Sequence, residues 1–249
     1  MFILFTHFFI NTTMGQAILF TAGKGGSGTT TFTINTGVIL ANSGAKVLIW
    51  DMNIGLRNDD IYLGLEDSIL FDLGDVISGT CSLDKAIIPS DTEGLFLLPC
   101  SQCKGIPGFS QSHIMNLMIT LKEEFDYVLI DCPVNVGKTL EFLAGDCDKA
   151  VLVVTPDYVS IRNTDAVSRR LEAVTSIEKL IAINRVSEKG MSELPNPEWI
   201  LRSIALPIVG VVAEDEAINI SNNNGVPIVC SGSGPVVKTF IEITARIVS

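Results

Sequence analysis

Charge is scarce in this sequence, and positive charge scarcest. Of 249 residues only 18% are charged, 17 Lys and Arg against 28 Asp and Glu, for a formal net charge of −11. Binding to DNA or RNA rests on neutralising phosphates with basic side chains, so this balance argues against nucleic acid as a partner. The adjacent basic pair Arg169 and Arg170 falls in a helical pattern and reads as a solvated face. A long apolar run is also missing. The N-terminal stretch "MFILFTHFFINTTMGQAILF" holds an apolar run of about ten residues, half of what a bilayer-spanning helix needs. It has neither the basic start nor the small-residue cleavage site of a secretory leader. Internal repeats, low-complexity tracts and an interdomain linker are absent as well.

Hydrophobic residues make up 47% of the chain, enough for a core buried on both faces of a sheet. Residues 1–13 read as an extension upstream of a start at Met14, the alternative being a hydrophobic arm that binds a partner or a membrane surface. Residues 14–249 read as one domain. The six cysteines, at 81, 100, 103, 132, 147 and 230, lie in several cases in apolar strand contexts, where a free thiol behaves as a small hydrophobe. With no secretion signal, the expected compartment is a reducing cytoplasm.

Short β-branched runs alternate with helical patterns. The segments 17–22, 46–51, 94–99, 126–132, 149–155, 179–184 and 207–212 are continuous apolar runs, the pattern of parallel strands covered on both faces. Segments 110–125 and 160–174 read as helices, the first with a core stripe at Ile114, Leu117, Met118 and Leu121. A further helix is expected near the C-terminus on Val236, Val237, Phe240, Ile243 and Ile247, and 186–199 reads as a loop or short helix broken by two prolines. The expected fold is α/β: a single doubly wound, mostly parallel sheet with helices on both faces, of the P-loop NTPase type. Ligands in such sheets sit at the carboxyl ends of the strands. There the sequence places a glycine-rich loop after the first strand, "DMN" (51–53) after the second, and "DCP" (131–133) after "YVLI".

The loop, "FTAGKGGSGTTT", has Gly23 and Gly28 at the spacing of a phosphate-binding loop and Thr30 where the metal-binding hydroxyl belongs. Backbone N–H groups around Gly25, Gly26, Ser27 and Gly28 are expected to cradle phosphates at a helix start. Thr31 is expected to touch the α-phosphate. Thr30, Asp51 and Asp131 are the candidate Mg²⁺ ligands, Asp131 through a metal-bound water. The loop's lysine position, however, holds Thr29.

"KGGSGTT" resembles the deviant phosphate loop, KGGxGKT, of the MinD/ParA family of cell-division and partition ATPases. The blocks 51–87, 123–133, 183–186 and 206–218 are similar to it too, so the resemblance runs from about residue 16 to 245. It implies a deviant-Walker ATPase that dimerises face to face around two ATP molecules, with Lys24 reaching the partner's phosphates in trans. It also implies that Asn184 and Arg185, and the stretch from Pro207 to Asp215, flank the adenine. Three departures stand out. Thr29 replaces the loop lysine. Asn53 replaces the aspartate that orients the attacking water, and an amide cannot take up that proton. The chain stops at "VVKTFIEITARIVS", without the basic amphipathic membrane-targeting helix of related proteins. The expectation is therefore an ATP- and Mg²⁺-binding regulator of the cell-division-positioning type with weakened nucleotide affinity and impaired hydrolysis. It would have protein partners and a possible homodimer through the nucleotide face. An active ATP-sandwich dimer and a nucleotide-free interaction module are the alternatives. "GKT" (137–139) lacks an upstream glycine and is not expected to bind phosphate. "CSQC" (100–103) would need a low-pKa thiolate or further ligands to do redox or metal chemistry.

Overall fold

The computed structural model describes residues 14–103, 105–106, 109–134, 137–187, 192 and 195–249. The extension expected at 1–13, and residues 188–191, 193 and 194 of the proline-broken stretch, lie outside the described residues.

The domain is built on an eight-stranded sheet in the order β3-β4-β2-β5-β1-β6-β7-β8. Seven strands correspond to the seven apolar runs: β1 (Gln16–Ala22), β2 (Val47–Asp51), β4 (Leu95–Leu98), β5 (Tyr127–Asp131), β6 (Lys149–Val154), β7 (Glu178–Val186) and β8 (Ile208–Ala213). All their pairings are parallel. The eighth, β3 (Ile88–Pro89), is a two-residue antiparallel edge. It is too short to leave a pattern, and Pro89, which has no ladder donor, is tolerated there because an edge needs none.

Ten α-helices accompany the strands among the described residues. They are α1 (Thr29–Asn42), α2 (Asp59–Tyr62), α3 (Leu73–Ile77), α4 (Leu83–Ala86), α5 (Gln111–Glu124), α6 (Thr139–Asp146), α7 (Tyr158–Glu172), α8 (Pro197–Ile204), α9 (Glu216–Asn223) and α10 (Pro235–Val248). Alternation along β1 feeds two cores. Ile18 and Phe20 join Phe32 and Val38 of α1 and Phe240 and Ile243 of α10, with Phe32 and Phe240 edge to face at 5.2 Å. Ala17 and Leu19 join Leu117 and Leu121 of α5 and Leu143 of α6 on the other face. The four residues of the α5 stripe are all buried. Helix α1 is buried without interruption from Thr31 to Ala41, as expected of a helix sandwiched in a core. At the carboxyl end of the proline-broken stretch, Asn196 accepts from Trp199 N at 2.9 Å and Pro197 opens α8, so that end enters a capped helix. No described helix is long and apolar enough to cross a membrane.

The register brings the acidic residues together. Asp51 is the direct cross-strand partner of Asp131, and Phe20 of β1 pairs with Asp131 from the other side. Both aspartates are thus held at the carboxyl edge, beside the loop that leaves β1.

Candidate nucleotide site

Between Ala22 and Thr29 the chain makes a tight passage that only small residues permit. Any Cβ on Gly23 would collide with the backbone of Asn163 and Thr164 in the middle of α7. Gly28 caps α1 with φ 99°, a left-handed conformation that costs most residues about 1–2 kcal/mol. Ser27 is turned inward: its Oγ donates to the Lys24 carbonyl at 2.8 Å, and its own carbonyl accepts from Asn184 Nδ2 at 2.8 Å. The start of α1 has no side-chain cap, so its first N–H groups and the positive end of its dipole remain for an anion.

The loop forms one wall of a cavity of about 390 Å³. Lys24, Gly25, Gly26 and Gly28 to Thr31 line one side, Asn53 and Asp131 the floor, and Asn184, Arg185 and Asp215 the far wall. Asn184 and Arg185 reach it through a bulge: Ile183 pairs with Val211 and Val186 with Ala213, so two residues of β7 stand opposite one of β8. Arg185 takes φ 57° there, an uncommon conformation for a side-chain-bearing residue and one that clusters at binding sites. Asp215 caps α9 through Ala217 N. From α9, Asn222 lines the cavity and donates to Thr31 Oγ1 at 3.0 Å.

Not every expected residue lies on this surface. Pro207 is a correction: β8 is parallel, so Pro207 stands at the amino end of the sheet, where its carbonyl accepts from Ile181 N at 2.8 Å. Only the carboxyl end of the 207–215 stretch reaches the cavity. Ser27 is buried and does not line the cavity, and Asp51 is fully buried behind Asn53. Lys24 lies at the mouth, paired with Asp157 at 3.1 Å in the same chain. Asp157 also accepts from Thr155 Oγ1 at 2.6 Å and Ser160 N at 2.9 Å. Against the opposing effect of burial, these bonds and Lys24 hold its carboxyl below the usual aspartate range.

The floor is a compact polar network. Thr30 Oγ1 donates to Asp131 Oδ2 at 2.5 Å, and Asn53 Nδ2 bridges Asp51 Oδ1 at 2.9 Å and Asp131 Oδ2 at 2.7 Å. Asn53 N donates to Asp51 Oδ1 at 2.7 Å and Asn58 N to Asp51 Oδ2 at 3.2 Å. Burial, then the charge of Asp131, pushes the Asp51 carboxyl up to about 6, against the lowering by Asn53. Burial likewise raises Asp131, opposed by its bonds from Thr30 and Asn53. A third carboxylate, Asp59 of α2, is buried beside them and is pushed well above the usual range by burial and by both neighbours. Sequence reasoning misses Asp59, Asn222 and also Asn58 and Tyr62, the last three of which line the cavity. A signal for Asn222 exists in its i, i+3 spacing from Asn219 on α9, another lining residue.

The donor set at the floor is all oxygen: a threonine hydroxyl and carboxylates, with Asp131 Oδ1 buried and without a partner. These residues fit a hard cation such as Mg²⁺. The two remaining motifs have local contacts of their own. Arg170 closes on the Gly137 carbonyl and on Glu141 Oε1, so "GKT" is a clamped helix start. Burial drives the Cys100 thiol far up, away from the thiolate that redox chemistry requires. Arg169 is largely exposed and pairs with Asp165 along α7.

Comparison with known proteins agrees with this geometry. The model of a family described as "AAA domain" matches residues 15–183. The septum site-determining protein MinD of Bacillus subtilis is 34% identical over 239 residues, covering 94% of this chain and 89% of that protein. MinD of Helicobacter pylori is 34% identical over 244 residues, covering 94% and 91%. Among solved structures, the MinC:MinD cell division protein complex of Aquifex aeolicus matches with a TM-score of 0.82 and 33% identity, covering 93% of this chain and 95% of that one. MinD of Pyrococcus horikoshii complexed with Mg-ADP matches with a TM-score of 0.83 and 27% identity, covering 94% and 96%.

Proposed function

Because this chain belongs to the MinD/ParA family of P-loop ATPases, we propose that it binds Mg-nucleotide in this cavity as a cell-division-positioning regulator whose hydrolysis is impaired. The observation that carries the second half is Asn53 Nδ2 bridging two carboxylates. Between Asp51 and Asp131 an amide must present its donors, so it offers no base to a water. Thr29, lining the same cavity, removes a charge-assisted bond worth roughly 1.5–3 kcal/mol. That weakens nucleotide by about one to two decades, and it leaves developing phosphoryl charge less neutralised.

The remaining residues divide the work of binding. Loop N–H groups from Gly25 to Thr30 and the start of α1 hold phosphate. Thr30 and Asp131 would hold Mg²⁺, which supplies charge neutralisation at the phosphates when bound. Asn184, Arg185 and Asp215 border the opposite wall, where the base is expected. The Mg-ADP complex of the Pyrococcus relative supports this ligand class. The MinC:MinD complex of the Aquifex relative supports a protein partner. A homodimer through the nucleotide face would draw Lys24 from Asp157 toward the second subunit.

Calorimetry with Mg-ADP and Mg-ATP, paired with a phosphate-release assay, tests the reading. Expected are measurable binding and turnover far below the roughly 1 s⁻¹ at the low end of typical enzymes. Turnover at or above that rate overturns the impairment, and no binding of either nucleotide overturns the site.

A further inference from the structure

A threonine inside a helix commonly gives its hydroxyl proton to the carbonyl four residues back. Thr33 of α1 does so, donating to the Thr29 carbonyl at 3.0 Å. Thr31, two residues earlier, does not. The carbonyl four residues before it belongs to Ser27 and is engaged by Asn184 Nδ2 at 2.8 Å. The Thr31 Oγ1 itself accepts from Asn222 Nδ2 at 3.0 Å. A hydroxyl carries one proton and two lone pairs. Thr31 therefore has a donor bonded to its oxygen and a proton with no acceptor among the described residues. The side chain is only 5% exposed, and the space it borders is the cavity.

The amide that meets Thr31 comes from 191 residues further along the chain, and the fold holds it in place. Asp215, Asn219 and Asn222 follow one another at steps of four and three residues, so they share one face of α9, and all three line the cavity. The carboxyl end of α9 is anchored twice. Ser221 Oγ donates to the Val226 carbonyl. Gly225 lies so close to Gly64, just after α2, that a Cβ on it would come within 2.8 Å of the Gly64 Cα. On the α1 side, the Thr31 carbonyl accepts from Asn35 Nδ2 at 2.8 Å, and Asn35 Oδ1 accepts from Val229 N at 3.2 Å. Both partners of the Thr31–Asn222 contact are thus fixed before any ligand arrives, and such preorganisation is what a binding site needs.

We infer that Asn222 is a positioning residue for the nucleotide: by donating to Thr31 Oγ1 it leaves the Thr31 proton directed at an oxygen of the α-phosphate. The inference rests on the nucleotide reading above and adds to it a residue of α9. An amide turned the other way would take the Thr31 proton on its own oxygen, and the hydroxyl would then meet the phosphate with lone pairs, which repel it. The two orientations give opposite signs when the amide is removed. Loss of a donor behind Thr31 weakens binding, whereas loss of a competing acceptor tightens it.

The test is calorimetry on the full-length chain with Mg-ADP and with the two α-thio diastereomers of Mg-ADP. It compares the native protein, Thr31→Val, Asn222→Leu and the double variant. Thr31→Val should weaken Mg-ADP by about tenfold to a hundredfold, the range of a hydrogen bond to a charged group. Asn222→Leu should weaken it by about threefold to tenfold, the range of a neutral hydrogen bond. In the double variant the change at Asn222 should cost nothing further, a coupling that a merely structural role would not produce. Sulfur is a weak acceptor, so one thio diastereomer should bind the native protein less tightly than the other. That preference should vanish in Thr31→Val and shrink in Asn222→Leu. If Asn222→Leu does not fold, Asn222→Ala takes its place. Native protein that binds Mg-ADP, with additive variants, no diastereomer preference or tighter binding in Asn222→Leu, overturns this inference alone. Native protein that binds neither Mg-ADP nor Mg-ATP overturns the nucleotide reading and this inference with it.

Discussion

Gly28 and Asn184 meet with no space between them: a methyl group on Gly28 would collide with Asn184 Nδ2, the atom that donates to the Ser27 carbonyl at 2.8 Å. The phosphate loop is therefore held from behind by a bulged strand as well as by its own turn. Gly28→Ala meets both the collision and the left-handed φ of 99°. It should lower Tm, with at least the roughly 1–2 kcal/mol of left-handed strain, and abolish Mg-ADP binding by calorimetry. A folded Gly28→Ala protein with native affinity would show that this packing does not shape the loop.

The Lys24–Asp157 pair makes a different kind of contact. Its side chains are 45% and 38% exposed, so it contributes at most about 1 kcal/mol to stability. Lys24→Ala should leave Tm nearly unchanged yet weaken any dimer formed with Mg-ATP, as read by sedimentation velocity. Asp157→Asn retains an oxygen for the Ser160 N–H that caps α7 but releases the lysine. It should strengthen the same dimer. A dimer indifferent to both changes would remove Lys24 from the interface.

Much of this is legible in the sequence, and the parts that are not share a cause. The strands of the parallel sheet are continuous apolar runs because both faces are covered, and the loop, Asp51 and Asp131 stand at strand ends, where pattern and position coincide. Asp59 follows no strand. It shares "NDD" with Asp60, and nothing in that dipeptide tells which aspartate pairs with Arg57 and which is buried. Arg185, expected at the site from the resemblance, reaches the cavity through a bulge that leaves no periodic trace. Pro207 is misplaced when its stretch is taken as a unit, because a strand crosses the whole sheet and only one of its ends can face the ligand.

Stability of the metal-free chain should fall as pH rises. Asp51 titrates at about 6 in the folded protein against 3.8 as its ordinary value, so between those values the unfolded chain has lost a proton that the folded chain keeps. The stabilisation is complete below the lower value and is lost as pH passes through the upper one. Asp59 and Asp131 are displaced in the same direction. Asp157, displaced downward, acts only at more acid pH. A tenfold difference in proton affinity between the folded and unfolded chain is worth about 1.4 kcal/mol, and a chain of this size loses about 2–4 °C per kcal/mol. Melting in EDTA should therefore come several degrees lower at pH 7.5 than at pH 5. A flat or rising profile would show that the cluster does not titrate as a buried group.

Repair of the two replaced positions should be strongly non-additive. Thr29→Lys alone places an ammonium beside the acidic floor and in reach of phosphate. It should tighten Mg-ATP by about one to two decades, while Asn53 still denies the water a base and turnover stays low. Asn53→Asp alone exchanges a donor to Asp51 and Asp131 for a further carboxylate among three. In EDTA it should destabilise by about 3–5 kcal/mol, the cost of an uncompensated buried charge. With Thr29→Lys present that cost should shrink, because the new cation faces the new anion, and only the double variant should gain turnover. A double-variant cycle in Tm and in phosphate release measures both couplings. Additive stabilities would place position 29 too far from the cluster to sense its charge. A gain of turnover in Asn53→Asp alone would show that the missing lysine is not what limits the chemistry.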